Sequence, residues 1–425
     1  MVFPERMSIA FSHVIRRGKI LVTFASLEML NKILMFVVGI TMVRNMAKAD
    51  YAWYTIANST FGGMAMLSTL GVTIGLVSMG GERFGDRAAM GRLITTCFRY
   101  RKIFTMIFVP LVIGPMLLML SRTGCPIAYT AMLATLVMGL LVLQINQDVA
   151  ATVLRLAGRY SFPQCVDVGA SIARVVLFGL LVHFAVLEVW NAILATLAIQ
   201  AIGYFAFVRK SSLFYYEKRQ SYDAVAGDKI LHLTYQTLPE TLSAFFMPQL
   251  VVLLISINGH TGAVAEFGAI GRLTLLFSIP IAIISSIVVP SLARSPRDKL
   301  ATNYSYVVLA GLSTALGILL TVWLSTPLLS LLLGSSYSNL SVELLIATGS
   351  SSLGLVAGCV GSILTAKAYV KHMWVVTLST ILVTTIATTF IDFGSLRSVL
   401  LLQYPRFVPI FLFYAWRVSN LFKNL

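Results

Sequence analysis

A succession of long, mostly apolar runs constrains the fold of this 425-residue chain more than any other feature. A helix needs about 20 mostly apolar residues to cross a bilayer, and each run approaches or exceeds that length. A transmembrane barrel would instead show strands of about ten residues with alternating polarity. The sequence therefore predicts an all-α polytopic membrane protein with about twelve transmembrane helices. The predicted spans are roughly residues 20–43, 52–78, 103–121, 127–147, 164–184, 188–208, 231–256, 264–290, 303–324, 342–365, 373–392 and 397–417.

The composition agrees with this class and excludes others. Apolar residues make up 58% of the chain and charged residues 11%, whereas about a quarter of an ordinary soluble protein is charged. Lys and Arg nevertheless outnumber Asp and Glu by 32 to 16, which gives a net charge of +16. A soluble nucleic-acid binder would carry dense basic residues on a polar background, so we expect no nucleic-acid partner.

The basic residues alternate between connections, and this alternation predicts the topology. They concentrate in every second connection, most densely in residues 83–102 and 209–229. Cytoplasmic loops carry the excess of Lys and Arg, so both termini are predicted to be cytoplasmic. The first run is too long for the core of a signal peptide and is predicted to be a retained helix.

The longest polar break predicts the domain organisation. It runs from Arg209 to Lys229 and leaves six predicted spans on either side. We expect an N-terminal lobe over residues 1–210, a cytoplasmic linker over 211–229 and a C-terminal lobe over 230–425. Two six-helix halves that start on the same side would be parallel repeats around a central cavity.

Two charged pairs fall inside predicted spans of the N-terminal half. An ionisable group at the centre of a membrane helix costs about 2.5–3.5 kcal/mol and normally faces a bundle interior or a wet cavity. Lys32 follows Glu28 by one helical turn, so the two can pair. Lys32 is either a cavity cation with Glu28 as a partner or proton site, or half of a structural pair. Arg174 lies two turns after Asp167 on one face and is either a functional cation or part of a structural ion pair or snorkelling contact.

Three further charges fall inside predicted spans of the C-terminal half. Arg272 follows a run of small residues and is predicted either to line a vestibule or to reach the membrane interface. Arg406 lies between Pro405 and Pro409, which free backbone carbonyls and favour a cavity wall. Glu240 follows Pro239 and is either an ion-coupling carboxylate or a residue at a helix start.

No pattern in the chain predicts enzyme chemistry, a cofactor or a metal site. The sequence contains no P-loop, no dinucleotide-binding glycine pattern and no H-E-x-x-H motif. The four cysteines form no C-x-x-C pair, and no Cys/His cluster has metal-ligand spacing. The predicted connections are short, which disfavours a membrane polymerase or ligase acting on lipid-linked glycans.

The order of features along nearly the whole chain resembles the polysaccharide and oligosaccharide-lipid exporters related to the multidrug and toxic-compound extrusion proteins. The O-antigen flippase branch is the most similar. The segments that carry the resemblance are Leu30-Asn31-Lys32 to Arg44, Asp50-Tyr51, Leu67 to Gly71, Thr152-Val153-Leu154-Arg155 with Gly158-Arg159, Ala263 to Leu275, Ile279-Pro280, Val289-Pro290-Ser291-Leu292-Ala293-Arg294 and Leu333-Gly334-Ser335-Ser336-Tyr337.

The resemblance implies a flippase for undecaprenyl-diphosphate-linked sugar repeat units in the bacterial inner membrane. It implies membrane lipids as surroundings and a polysaccharide polymerase with chain-length machinery as partners. Buried cations suit a diphosphate, so Lys32, Arg272, Arg174 and Arg406 are candidate substrate-binding residues. Glu28, Glu240 and Asp167 are candidate ion-coupling residues. A multidrug or cation exporter of the related branch and a flippase for lipid-linked peptidoglycan precursors remain alternatives.

Overall fold

The chain is helical throughout the part that its structure, a computed structural model, describes. The described residues are 23, 26–159, 161–215, 221–258, 261–284, 288, 292, 297–324, 333–334, 337, 339–366, 373–391 and 395–423. No strand occurs within these ranges, so the predicted all-α class is confirmed. Most of Val289 to Arg294 and part of Leu333 to Tyr337, two segments that carry the resemblance, lie outside the described residues.

Six long helices build the N-terminal half. They are α1 (Ser26–Asn45), α2 (Lys48–Arg83), α3 (Arg87–Arg122), α4 (Ile127–Leu156), α5 (Ser161–His183) and α6 (Val189–Ser211). Short turns join them, and the end of α6 continues as one turn of 3-10 helix over Ser212–Phe214.

Within the described residues, the helices of the C-terminal half are more often interrupted than those of the N-terminal half. They are α7 (Ala224–Ile257), α8 (Thr261–Thr274), α9 (Ser278–Ile283), α10 (Arg297–Leu324), α11 (Ser341–Ala366), α12 (Met373–Thr388), α13 (Leu396–Leu401) and α14 (Phe407–Lys423). A 3-10 turn over Leu275–Phe277 separates α8 from α9. Helix α7 begins at Ala224, within the segment assigned to the linker, and the lobe boundaries at 210 and 230 remain predictions.

Seven helices in the described part are long and apolar enough to cross a membrane, judged by length and composition alone. Helix α2 makes an eighth if its two arms, Lys48–Leu67 and Gly71–Gly81, count as one span bent by 43°. The other predicted spans correspond to α7, to α8 with α9, to α12 and to α13 with α14. Within the described residues these helices do not meet that criterion.

Side-chain caps explain where two of the helices begin. The Asp86 carboxylate accepts hydrogen bonds from the backbone N–H groups of Ala88 (2.8 Å) and Ala89 (3.1 Å) at the start of α3. Asp223 accepts one from Ala226 (3.0 Å) at the start of α7. A side-chain oxygen that satisfies these free N–H groups favours helix initiation at that residue.

Helix α2 carries most of the contact between the two halves. It runs beside α7 along its length and also packs against α8. The fit is close, because a Cβ at Gly71 would overlap the backbone of Thr234 and one at Gly268 would overlap the Thr55 side chain. The small residues therefore let the two lobes approach closely.

Ion pairs join the two halves at both ends of this contact. At one end, the Lys48 Nζ lies 2.6 Å from the Glu266 carboxylate at the start of α8. At the other, the Arg83 guanidinium lies 2.7 Å from the Asp223 carboxylate that caps α7. These ends are called the Lys48 end and the Arg83 end below.

The start of α3 corrects the sequence interpretation. The predicted third span begins near residue 103, with Arg101 in the preceding cytoplasmic connection, whereas α3 already begins at Arg87. Arg101 is 1% exposed, donates to the backbone carbonyl of Ile145, and donates to the Thr73 hydroxyl at 2.9 Å. Counting basic residues cannot separate a loop arginine from one that a longer helix buries.

Candidate functional site

A cavity of about 320 Å³ lies inside the N-terminal half. Its walls come from α1, α2, α4, α5 and α6, and all of its lining residues belong to this half. The polar members of the lining are Asn31, Lys32, Tyr54, Asn58, Gln144, Gln147, Asp167, Arg174, Thr196 and Gln200. Three of the candidate charges from the sequence, Lys32, Asp167 and Arg174, are thus brought together in one cavity.

Lys32 lines this cavity as half of the predicted pair. Its Nζ lies 3.5 Å from the Glu28 carboxylate, one helical turn away, and both side chains are partly exposed. The partly open geometry leaves Lys32 able to donate to a second acceptor, since an ammonium group has three donors.

Arg174 makes contact with neutral partners. Its Nη atoms donate to the Met35 sulfur (3.4 Å) and to the Gln200 side-chain oxygen (3.2 Å). Its Nε is buried and has no partner within the described ranges. Asp167 lies in the same cavity, yet no ion pair between Asp167 and Arg174 forms among the residues that the structure describes. Arg174 therefore keeps an unused donor at the cavity wall.

Amide side chains hold the arginine in place. Gln200 donates to the oxygens of Gln147 (2.6 Å) and Gln144 (2.8 Å), and Gln144 donates onward to the Asp148 carboxylate (2.8 Å). These donations leave the Gln200 oxygen free to accept from Arg174. The chain of hydrogen bonds links the cavity to Asp148 and fixes the orientation of the guanidinium.

Arg272, another candidate for substrate binding, does not line this cavity. It projects from α8 onto the opposite half, where its Cδ would lie 2.6 Å from a Cβ added at Gly39. Its Nε donates to the Tyr51 hydroxyl (3.3 Å), and its guanidinium lies 5.4 Å from the centre of the Tyr54 ring. The geometry makes Arg272 a contact between the lobes.

Arg406 lines a second cavity, of about 200 Å³, in the C-terminal half. The span that contains it is broken, because α13 ends at Leu401 and α14 begins at Phe407. Irregular backbone at membrane depth is tolerated where it lines a cavity, as the two flanking prolines led us to expect. The side chain of Glu240 lies outside the described residues, although its backbone belongs to α7.

The two cavities occupy equivalent places in the two halves. The first uses the first, second, fourth, fifth and sixth spans, and the second uses α7, α8, α11, α12 and the α13–α14 connection. These are the corresponding spans of the C-terminal half in chain order. The correspondence is the arrangement that parallel repeats produce.

Sequence reasoning missed the neutral part of the first cavity. Tyr54, Gln144, Gln147 and Gln200 do not stand out by charge, although the three glutamines take part in most of the hydrogen bonds at its wall. Glutamine is uncommon in apolar spans because an unsatisfied amide is costly there. The three glutamines in the fourth and sixth spans were therefore the signal that could have located this cavity.

Three solved structures illustrate what this fold is similar to. An inward-facing multidrug resistance MATE family transporter of the MOP superfamily matches at a TM-score of 0.71 and 17% identity, over 94% of this chain and 98% of that one. The lipid II flippase MurJ in an inward closed conformation matches at a TM-score of 0.75 and 12% identity, over 94% of this chain and 87% of that one. A MOP superfamily transporter from Pyrococcus furiosus, described by a reverse polarity of its binding pocket, matches at a TM-score of 0.58 and 15% identity, over 94% of this chain and 95% of that one.

No family model matches this chain, and no curated protein matches it by sequence. The structural likeness confirms the predicted fold of two helical lobes.

Proposed function

We propose that this chain is a flippase that moves an undecaprenyl-diphosphate-linked oligosaccharide repeat unit across the bacterial inner membrane. The two lobes alternate in opening to either side, and both termini lie in the cytoplasm. Membrane lipids surround it, and a polysaccharide polymerase with its chain-length machinery uses the flipped product. The observation that carries the proposal is the first cavity, which presents Lys32 and the unused donor of Arg174 to one space.

The cations of the first cavity suit a diphosphate. Arginine presents a planar fork that matches phosphate oxygens, and lysine acts as a compact point charge. Since Arg174 makes no direct ion pair in the described part of the chain, an anion could accept a hydrogen bond from its unpartnered Nε–H. Lys32 and Arg174 therefore bind the head group, while Arg272 holds the lobes together and Arg406 serves a separate cavity.

Ion coupling follows from the charge balance of the same cavity. Glu28 and Asp167 offset Lys32 and Arg174 when all four are ionised. A proton or another cation at Asp167 leaves an excess of positive charge and favours anion binding. Release of that cation restores the balance and favours anion release. Glu240 is proposed as a further coupling carboxylate from its sequence position alone.

Complementation of a deletion strain tests the proposal. Loss of the gene should abolish the surface polysaccharide while lipid-linked repeat units accumulate on the inner leaflet. Lys32→Gln and Arg174→Gln should fail to restore the surface glycan at normal membrane levels. Lys102→Gln and Arg122→Gln, which change exposed cations outside the cavity, serve as matched controls. Normal surface glycan in the deletion strain would refute the function.

A multidrug exporter is the second candidate, since a MATE family transporter shares the fold. Its cargo is cationic, so transport would depend on Asp167 and Glu28 and would survive the loss of Lys32 and Arg174. Drug resistance conferred by expression of the chain, with this dependence, would favour it over the flippase. A flippase for peptidoglycan precursors, favoured by the likeness to MurJ, would instead be required for growth.

A further inference from the structure

The second cavity differs from the first in its charge. Arg406 lines it, and none of its lining residues in the described part of the chain is an aspartate or a glutamate. The guanidinium lies 4.8 Å from the centre of the Phe407 ring, and its buried Nε has no partner there. In the first cavity Asp167 lines the wall and Glu28 pairs with Lys32, whereas the second cavity has no carboxylate among its described lining residues. A buried charge of this kind is costly unless an anion accompanies it.

A second donor faces the same space without a partner. Thr384 on α12 lines the cavity and is 2% exposed, yet its hydroxyl has no hydrogen-bond partner within the described ranges. Buried hydroxyl groups are nearly always hydrogen-bonded, because an unsatisfied one costs about 1–3 kcal/mol. The hydroxyl and the guanidinium thus share one requirement, which is an acceptor inside the cavity.

The other lining residues indicate what else the ligand must contain besides an acceptor group. The Gln403 oxygen accepts from the Ser350 hydroxyl (3.2 Å), which leaves the Gln403 amide N–H groups available to donate. Phe267 and Pro248 supply apolar faces. Sugar rings combine hydroxyl groups with apolar faces and suit such a wall, whereas a diphosphate carries more negative charge than the single guanidinium of this wall can neutralise.

We infer that the second cavity binds the carboxylate of an acidic sugar, with Arg406 and Thr384 as its donors. This inference rests on the proposed function, because it takes the ligand to be part of a transported glycan. The head group of the cargo and its acidic sugar would then be recognised in different lobes, by Arg174 and Arg406. Such a site would select for charge in the glycan itself.

Thermal unfolding of the purified chain in lipid nanodiscs tests the site without requiring transport. The probes are sodium D-glucuronate, neutral D-glucose and sodium phosphate, with ionic strength held equal by sodium chloride. A ligand that binds only the folded state raises the unfolding midpoint in a concentration-dependent, saturating way. We expect glucuronate to raise it for the unmodified chain and glucose to leave it unchanged.

The variants then locate the binding. Arg406→Gln and Thr384→Val should abolish or reduce the glucuronate shift, and Thr384→Val preserves shape if Arg406→Gln folds poorly. Arg174→Gln changes the first cavity and should keep the full shift. Absence of a shift in the unmodified chain, or a full shift in Arg406→Gln, would overturn the site. An equal shift with phosphate would overturn the assignment to a carboxylate. None of these outcomes depends on whether the chain flips lipid.

Discussion

The guanidinium of Arg272 lies 5.4 Å from the centre of the Tyr54 ring, and that same ring lines the first cavity. Arg272 belongs to α8 and Tyr54 to α2, so the contact crosses between the lobes. A cation over an aromatic face is worth about 0.5–2 kcal/mol, and the adjacent hydrogen bond to Tyr51 adds to it. A ligand that moves Tyr54 would therefore also disturb the contact that holds the lobes together.

Replacing Arg272 should weaken closure at the Lys48 end. Arg272→Gln removes the cation over Tyr54, and a loss of about 0.5–2 kcal/mol shifts the ratio of closed to open states roughly two- to thirty-fold. Spin labels at the exposed positions Ile127 and Leu324, in a Cys165→Ser background, report the separation of the lobes. We expect a longer or broader distance distribution than in the unmodified chain.

The control for this measurement is Arg122→Gln, which removes an exposed arginine at the end of α3. Its distance distribution should match that of the unmodified chain. If Arg272→Gln gives that distribution as well, Arg272 does not hold the interface, and its role in substrate binding must be reconsidered.

The Arg83 end should respond to acid. The backbone N–H of Ala226 and then the Arg83 guanidinium hold the pKa of the Asp223 carboxyl below its usual value. A carboxyl with a lowered pKa in the folded state stabilises that state above its unfolded pKa of about 3.9 and loses this contribution as the pH falls. The thermal unfolding midpoint should therefore fall as the pH is lowered below about 4. Asp223→Asn should make this fall smaller, because the variant has no carboxyl to protonate at that position.

A double-mutant cycle isolates the ion pair from the helix cap. Asparagine caps a helix about as well as aspartate, so Asp223→Asn mainly removes the charge. Arg83→Gln removes the partner. At neutral pH, the double variant should lose less free energy of unfolding than the two single variants lose together. Strictly additive losses would mean that the pair at 2.7 Å contributes nothing to the contact between the lobes.

The spans and the paired halves were predictable because they depend on local patterns. An apolar run long enough for a bilayer is visible in the sequence, and so is Lys32 one turn after Glu28, which the structure pairs. The proline pair around Arg406 likewise predicted the wall of a cavity, where the α13–α14 break now lies. Each of these inferences needed only residues that are near one another in the chain.

The partners of the buried arginines were not predictable, because they depend on how helices pack. Arg272 meets Tyr51, which is 221 positions away, and no local feature distinguishes a vestibule arginine from one at a lobe contact. Arg174 follows Asp167 on one helical face, yet its closest partners are Met35 and Gln200 from other helices. Side-chain spacing gives the face, and only packing decides what that face meets.

Arg101 should matter for stability more than its exposed neighbour. It is 1% exposed and donates to the Ile145 carbonyl and the Thr73 hydroxyl. A hydrogen bond made by a charged group contributes roughly 1.5–3 kcal/mol, so Arg101→Ala should markedly lower the unfolding midpoint and the yield of folded protein. Lys102→Ala, at an exposed position of the same helix, should change neither. Equal behaviour of the two variants would show that Arg101 is not required for folding.

Replacing the amide nitrogen of Gln200 by an oxygen, as in Gln200→Glu, should prevent the first cavity from binding an anion. The Gln200 oxygen accepts from Arg174 at 3.2 Å, so Gln200→Glu places a carboxylate against that guanidinium. The new ion pair would occupy the donors proposed for the diphosphate, and transport should fall by at least tenfold with normal membrane levels. Gln200→Met removes the amide without adding charge and should retain more activity than the glutamate variant. Measuring surface glycan per unit of membrane protein in the deletion strain compares them. Greater activity in Gln200→Glu than in Gln200→Met would contradict a role for Arg174 as an anion receptor.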